Sequence, residues 1–447
     1  MFRYIPGTKA DKRELLKEIG AASIDELFED IPAKIRERAR LTEWESLSEI
    51  EIERMMRELG KKNTSLEDLI CFRGAGAYDH HIPSAVDELI GRSEFYTSYT
   101  PYQPEISQGT LRGIFEFQTM ICDLTGMEAS NASMYDGATA TAEAGMMAVT
   151  ETKRRKLLIS RGVHPEVREV VKTYCRFREI ELTEIEMDGG VTSLTHMRDA
   201  AGDDTAGIIV QSPNFFGIIE DIGEIKEKIE DKKTKFIVNT DLIAMGILEN
   251  PGRLGADMVV GDAQPLGNRI MYGGPYLGFM AVTKKLVRKM PGRIVGESVD
   301  RNGRRSYVLT LQAREQHIRR YKATSNICSN HGLNAIAATI HMSLLGRKGL
   351  TEMANQCLQK SNYAMKKITE SGKYKLKYEK PFFKEFLVES TVSPEDVNKR
   401  LREEGILGGY PAGRDYSDQT NTLLICVTEK RSRGEIERLA DVMEEIS

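Results

Sequence analysis

Residues 255–279 read GADMVVGDAQPLGNRIMYGGPYLGF. Met258-Val-Val260 is a short apolar run of the kind that forms a buried strand. A loop follows, then a glycine hinge at Gly273-Gly274, then a second apolar run through Phe279. In open α/β sheets, binding sites form at loops leaving the carboxyl ends of buried strands. This loop carries no lysine: Lys235 is the last before the stretch and Lys284 the first after it.

Outward from this stretch, further apolar runs occur at Lys156-Leu-Leu-Ile-Ser160, Gly207-Ile-Ile-Val210, Phe236-Ile-Val238 and Phe279–Val282. Helical patterns lie between them at Pro165–Arg178 and near Ile222–Ile229, and a helix carrying Ile114, Phe115 and Phe117 ends at Ile121–Thr125. Strands alternating with helices predict a mostly parallel sheet covered on both faces, so residues 66–308 read as a large α/β domain. Residues 1–65 read as an N-terminal helical extension. Ser23-Ile-Asp-Glu26 and Ser48-Glu-Ile-Glu51 have the form of capping boxes, and such short helices build no core alone. Leu309–Leu345 reads as helix within a helical linker over 309–349. Residues 350–447 read as a small C-terminal α/β domain. Its strands are expected at Tyr374–Tyr378, Phe386–Glu389 and Leu423–Val427. Ser393-Pro394 and Ser432-Arg-Gly-Glu435 open its helices.

The composition, with 40% hydrophobic and 29% charged residues and a net charge of −4, is that of an ordinary globular protein and excludes a strongly basic nucleic-acid binder. Six cysteines, none in CxxC spacing, read as reduced thiols. Seven histidines without HxxxH or HExxH spacing give no metal motif. The first residues carry charge too early for a signal peptide, and no run approaches the roughly 20 apolar residues of a membrane span. A soluble, intracellular protein is expected.

Three segments are too rich in unusual residues to be scaffolding. The first is Phe72-Arg-Gly-Ala-Gly-Ala-Tyr-Asp-His-His-Ile-Pro83. The second, Phe95 to Gly109, holds Tyr96, Tyr99, Tyr102, Gln103, Glu105 and Gln108 between prolines that exclude a long helix. Rigid amphipathic rings with amides suit a binding surface, in a pocket or at a subunit contact. The third, Ser133 to Glu143, contains Gly137, Ala138 and Thr139 at a helix start, where free N–H groups are able to cradle a phosphate. Spacing alone is a weak signal there, and Asp136 repels an anion. His164 and Asp241 each sit at a strand end: a planar ligand and a protonated ring nitrogen are the sharp readings, helix caps the plain ones.

Together these stretches resemble the P-protein of the glycine cleavage system, in the form where the long chain is split in two. The similarity is to the first of the two chains. It rests on YIPGT, IDELFEDIP, FRGAGAYDHHIPSAVDEL, YTSYTPYQPEISQGTLRGIFEFQT, YDGATATAEA, VHPEVREVV, QSPNFFGIIED, GDAQPLGNRIMYGGPYLGF and LTLQAREQHIRRYKATSNIC, in that order along nearly the whole chain. The resemblance implies an aspartate-aminotransferase-type fold, that is, pyridoxal-phosphate-dependent fold type I. It implies decarboxylation of glycine, with the aminomethyl group passed to the lipoyl arm of the H-protein.

In the family's catalytic chain the loop matching 255–279 carries a His-Lys pair whose lysine holds the cofactor. Here the matching positions are Gln264, Pro265 and Leu266, and none supplies the amine that a Schiff base needs. The resemblance therefore places pyridoxal 5'-phosphate on a partner, subunit 2, in a cytoplasmic heterodimer that pairs again as α2β2. It leaves Gly137, Ala138 and Thr139 as a vestigial phosphate loop. It aligns the ring-nitrogen aspartate near Val238 or Asn239 and not securely at Asp241. Tyr96, Tyr99, Tyr102, Gln103, Glu105 and Gln108 are then expected to line the partner's pocket. Two other readings stand beside this one: a self-sufficient enzyme using Lys284 or Lys322, and a non-catalytic scaffold for the H-protein.

Overall fold

In the computed structural model, which describes residues 4, 6–39, 46–327 and 330–446, the apolar runs pair into one seven-stranded sheet. Its spatial order is Ala129–Ser130, Gly278–Val282, Met258–Asp262, Lys235–Thr240, Thr205–Ser212, Lys156–Ser160 and Glu181–Ile185. The last five are parallel to one another, and Gly278–Val282 runs antiparallel to both of its neighbours.

Side chains alternate across each strand, and both faces are covered. Leu158, Val210, Phe236, Val238 and Val259 pack into one core with Phe117, Ile121, Ala338 and Met342. Ile159, Ile209, Ile237 and Val260 point the other way, against Ala140, Ala144, Val167 and Val171. These strands read as continuous apolar runs because neither face meets water.

The chain divides into two compact units, Met1–Thr64 and Ser65–Ser447. In the first, the helices Lys9–Ile19, Ala33–Arg38 and Glu49–Gly60 bury no residue. The Ser48 capping box forms, with both reciprocal hydrogen bonds. The helix expected after Ser23 shrinks to one 3-10 turn, Asp25–Phe28, and the Glu26 carboxylate takes the Ala22 N–H instead of closing the box on Ser23. Ile5 of the first motif and Cys328 lie outside the described residues.

The small sheet of the second unit is antiparallel, in the order Tyr374–Leu376, Glu385–Ser390, Thr422–Cys426, Tyr410–Pro411. Val388, Leu423 and Ile425 meet Val397, Leu401, Ile436, Leu439 and Met443 of the helices Pro394–Glu403 and Arg433–Ile446. Both helices begin at the serines expected from sequence.

One expectation is overturned. The helix predicted over Leu309–Leu345 begins only at Gly332 and runs to Thr369, broken at Gly346, whose φ of 58° and ψ of −177° leave the helical region. Residues Arg305–Thr310 are instead a strand paired with Ile294–Val299, and short turns fill the segment between. Tyr307 and Val308 alternate sides as a strand requires, with Tyr307 buried against Leu111 and Val295. The expected helical linker over 309–349 is therefore a strand, turns and only the first half of a long helix.

Candidate functional site

A cavity of about 510 Å³ opens at the carboxyl ends of the parallel strands, as this topology favours. Asn239 and Thr240 line it from the 235–240 strand, Asp241 from just beyond that strand, Asp262 and Pro265 from the quoted loop, and Gly137 to Thr139 from the start of the Gly137–Thr152 helix. His164 and Lys384 complete it. The sequence reading of Val238 fails: strand alternation sends it into the opposite core, fully buried, while Asn239 reaches the cavity and donates to Thr141 Oγ1 at 3.0 Å.

The residue standing where a lysine is expected has a structural task. Gln264 Oε1 accepts the Tyr78 N–H at 3.0 Å, and Gln264 Nε2 donates to the Tyr78 carbonyl at 3.2 Å. This clamp brings the segment 72–83 across the cavity. Upstream, Ile70–Cys71 pairs with Ile406–Leu407 and Phe72 sinks into the small domain's core, so the segment is anchored at both ends. Gly76, at φ 99°, lies so near His164 that a Cβ there meets its Nε2 at 2.8 Å.

His164 is the N-cap of the Pro165–Phe177 helix. Its Nδ1 accepts the Glu166 N–H, so Nε2 carries the proton and donates to the Ala75 carbonyl at 2.9 Å. The helix-start reading of this histidine is the one its contacts support.

The helix start of the phosphate-like loop is occupied by acids. Asp136 Oδ1 accepts the Thr139 N–H at 2.7 Å in a closed capping box, and Asp262 Oδ2 accepts the Gly137 N–H at 3.0 Å. Burial pushes the Asp262 carboxyl up.

Asp241 meets Lys384 at 2.5 Å, with side chains 13% and 2% exposed. Burial alone raises a carboxyl, yet the Lys384 ammonium and its hydrogen bond hold Asp241 below its ordinary value. Lys384 stays above its own ordinary value against burial, chiefly through Asp241. Its Nζ also lies 3.0 Å from His80 Nε2 and 3.5 Å from the centre of the Tyr78 ring. An ammonium only donates, so His80 Nε2 accepts and Nδ1 carries the proton, which goes to Glu429 Oε2 at 2.6 Å. Burial and the neighbouring ammonium push the His80 ring below its ordinary value, against the pull of Glu429. Asp241, Lys384, His80 and Glu429 form one buried chain of alternating donors and acceptors. Among the described residues, His80, Cys357 and Glu429 are the group of metal-ligating type, but both ring nitrogens of His80 are already engaged.

Lys384, Glu385 and Tyr78 were missed as site residues. Lys384-Glu385 interrupts the apolar run Phe382-Phe383…Phe386-Leu387-Val388, and a charged pair inside a buried strand pattern is a signal that sequence provides. Glu385 accepts from the Ala75 N–H at 2.7 Å and the Tyr78 hydroxyl at 2.8 Å, and burial raises its carboxyl to about 7. Lys284 and Lys322 are exposed and do not line the cavity.

The tyrosine segment is elsewhere. None of Tyr96, Tyr99, Tyr102, Gln103, Glu105 and Gln108 lines this cavity. Tyr96 and Tyr99 are 70% and 78% exposed. Tyr102 is fixed by Arg293, whose guanidinium donates to its hydroxyl at 2.5 Å. Gln108 exchanges two hydrogen bonds with the Tyr307 main chain, at 2.8 and 2.9 Å. The segment is a fixed base presenting exposed aromatic rings, with Tyr99 tilted against Tyr102.

This sheet, with its cavity and small antiparallel domain, is the pyridoxal-phosphate-dependent fold type I. Lactobacillus brevis glutamate decarboxylase shares it at a TM-score of 0.69 and 15% identity, over 92% of this chain and 96% of that one. The sequence matches the glycine cleavage system P-protein family over residues 2–443, and the chain belongs to that family. It is 53% identical over 438 residues to a probable glycine dehydrogenase (decarboxylating) subunit 1 of Desulforamulus reducens, covering 98% of each. It is 51% identical to the protein of that name from Geobacillus thermodenitrificans, covering 99% of this chain and 98% of the other. A crystal structure of glycine decarboxylase (P-protein) in inhibitor-bound form superposes at a TM-score of 0.92, with 39% identity over all of both chains.

Proposed function

We propose that the chain is the subunit of a two-chain glycine decarboxylase that does not bear the Schiff-base lysine. With subunit 2, in a heterodimer paired again as α2β2, it decarboxylates glycine. The aminomethyl group passes to the lipoylated H-protein, and pyridoxal 5'-phosphate sits on the partner. The observation that carries this reading is Gln264: in a chain so similar to glycine decarboxylase over its whole length, the lysine position is an amide fixed to Tyr78. No chemical step is assigned to this chain's own cavity, whose charged groups do not fit the cofactor. Its contribution is the surface it offers, with Tyr96, Tyr99, Tyr102, Gln103, Glu105 and Gln108 as the proposed wall of the partner's pocket. Exposed aromatic rings on a fixed backbone are the composition of an interface core. A cytoplasmic location goes with this role; no helix among the described residues is long and apolar enough to cross a membrane.

Self-sufficient chemistry is disfavoured. The one lysine lining the cavity among the described residues, Lys384, is paired with Asp241 and held protonated, so it is no nucleophile. The test is reconstitution. The chain co-purified with the lysine-bearing subunit, and supplied with oxidised lipoylated H-protein as acceptor, is expected to release carbon dioxide from carboxyl-labelled glycine. This chain alone is expected to give no turnover and no cofactor trapped by borohydride. Turnover by this chain alone overturns the reading.

A further inference from the structure

Without a lysine at position 264 the loop 255–279 offers no amine to a cofactor. That leaves open why a cavity of about 510 Å³, large enough for a coenzyme-sized ligand, carries the groups it does. Among the described residues, the charged side chains that line it are five carboxylic acids, Asp136, Glu166, Asp241, Asp262 and Glu385, against one lysine. The N–H groups of the helix start that suit a phosphate are occupied by Asp136 and Asp262. A phosphate there meets two carboxylates and, among the described residues, finds no guanidinium or ammonium of its own. The strand-end aspartate suited to a protonated ring nitrogen is likewise engaged, by Lys384.

The fit of Lys384 is complete. An ammonium has three N–H groups, and three acceptors surround this one: the Asp241 carboxylate at 2.5 Å, His80 Nε2 at 3.0 Å and the Tyr78 ring face at 3.5 Å. The side chain is 2% exposed and enters from the edge of the Glu385–Ser390 strand, so it is held by the small domain and not by the loop that would otherwise bring a lysine. The two strand-end residues whose chemistry suits a planar, ring-nitrogen ligand, Asp241 and His164, therefore have partners within the chain: Lys384 for Asp241, Ala75 for His164.

We propose that the Lys384 ammonium is a resident cation that takes, on Asp241, the place of a protonated pyridine nitrogen, so that the cavity is closed to pyridoxal-type cofactors by its own ion pair as well as by the absence of a lysine at position 264. This inference concerns the chain alone and does not depend on which partner it joins.

The probe is 4'-deoxypyridoxine 5'-phosphate, which lacks the aldehyde and so needs no lysine. Titrated into the full-length wild-type chain, it is expected to show no saturable binding by fluorescence or calorimetry. In Lys384→Ala, Asp241 faces an ammonium-sized gap. Ethylammonium or 4-methylpyridinium is expected to raise the Tm of that variant saturably, to leave wild type unmoved, and to lose its effect in Lys384→Ala/Asp241→Asn. Saturable one-to-one binding of the phosphate probe to wild type overturns the proposal. So does a folded Lys384→Ala protein indifferent to both cations. If Lys384→Ala does not fold, the wild-type titration still decides. Failure here leaves the subunit role standing, and failure to activate the partner leaves this result standing.

Discussion

The side-chain amide of Gln264 holds the main chain of Tyr78 in both directions, N–H and carbonyl, across 186 residues of sequence. A third bond, from Nε2 to the Asn268 carbonyl at 2.6 Å, ties the same amide to its own loop. Gln264 is 2% exposed, so nothing from solvent replaces these bonds. Gln264→Leu is expected to cost about 2–4 kcal/mol, since buried partners left unpaired each cost about 1–3 kcal/mol. A urea midpoint unchanged from wild type would show that the clamp does not secure the segment.

Lys384 and Asp241 are a buried pair, and removing one partner leaves an uncompensated charge. Lys384→Met is expected to destabilise by about 3–5 kcal/mol. Lys384→Met/Asp241→Asn is expected to lose less than the sum of the two single changes, with a coupling of about 1 kcal/mol or more. Additive losses in denaturant unfolding defeat the pairing.

Glu385 gives a pH signature. Its carboxyl is raised to about 7 by burial, against an ordinary value of 4.5. Between those two values the folded chain binds more protons than the unfolded one, so this group's contribution to stability falls as pH rises from 4.5 to 7 and then levels off. Glu385→Gln removes that slope. The variant is expected to match wild type near pH 4.5 and to exceed it at pH 8 by about 1–3 kcal/mol, because each tenfold change in proton affinity is worth roughly 1.4 kcal/mol. Unfolding curves at the two pH values are the check, and parallel behaviour of both proteins refutes the assignment.

Tyr99 stands free of the chain's own core at 78% exposure. Tyr99→Ala is expected to change the stability of this subunit by less than about 0.5 kcal/mol, as for an ordinary surface site. Turnover of the assembly with the lysine-bearing subunit is expected to fall at least about tenfold, equivalent to 1.4 kcal/mol or more. If turnover and assembly both survive in Tyr99→Ala and in a Gln103→Ala counterpart, the wall role is wrong and a scaffold role gains.

Much of the fold was legible because the parallel strands are buried on both faces: Phe236-Ile-Val238 and Met258-Val-Val260 have nowhere else to go. The capping serines Ser48, Ser393 and Ser432 were legible for a local reason, since each bonds within its own turn. The start of the stretch 309–331 was misread because Leu309, like Val308 before it, is equally apolar in helix and strand; antiparallel pairing with Val295 and Gly296, across a short hairpin, settles it. The site was legible by halves. Asp136, His164 and Asp241 stand out at strand and helix ends. Lys384 did not, because its meaning depends on three residues distant in the chain, Asp241, His80 and Tyr78.

The helices ahead of residue 65 bury no side chain, and Leu15, Ile19, Ile50, Met55 and Leu59 lie open at 46–63% exposure. An unassembled copy thus displays greasy helical stripes of the sort that quality-control proteases and holdases engage. Association that covers these stripes takes apolar surface out of water and acts by mass action, so the apparent stability of the chain rises with the concentration of whatever covers them.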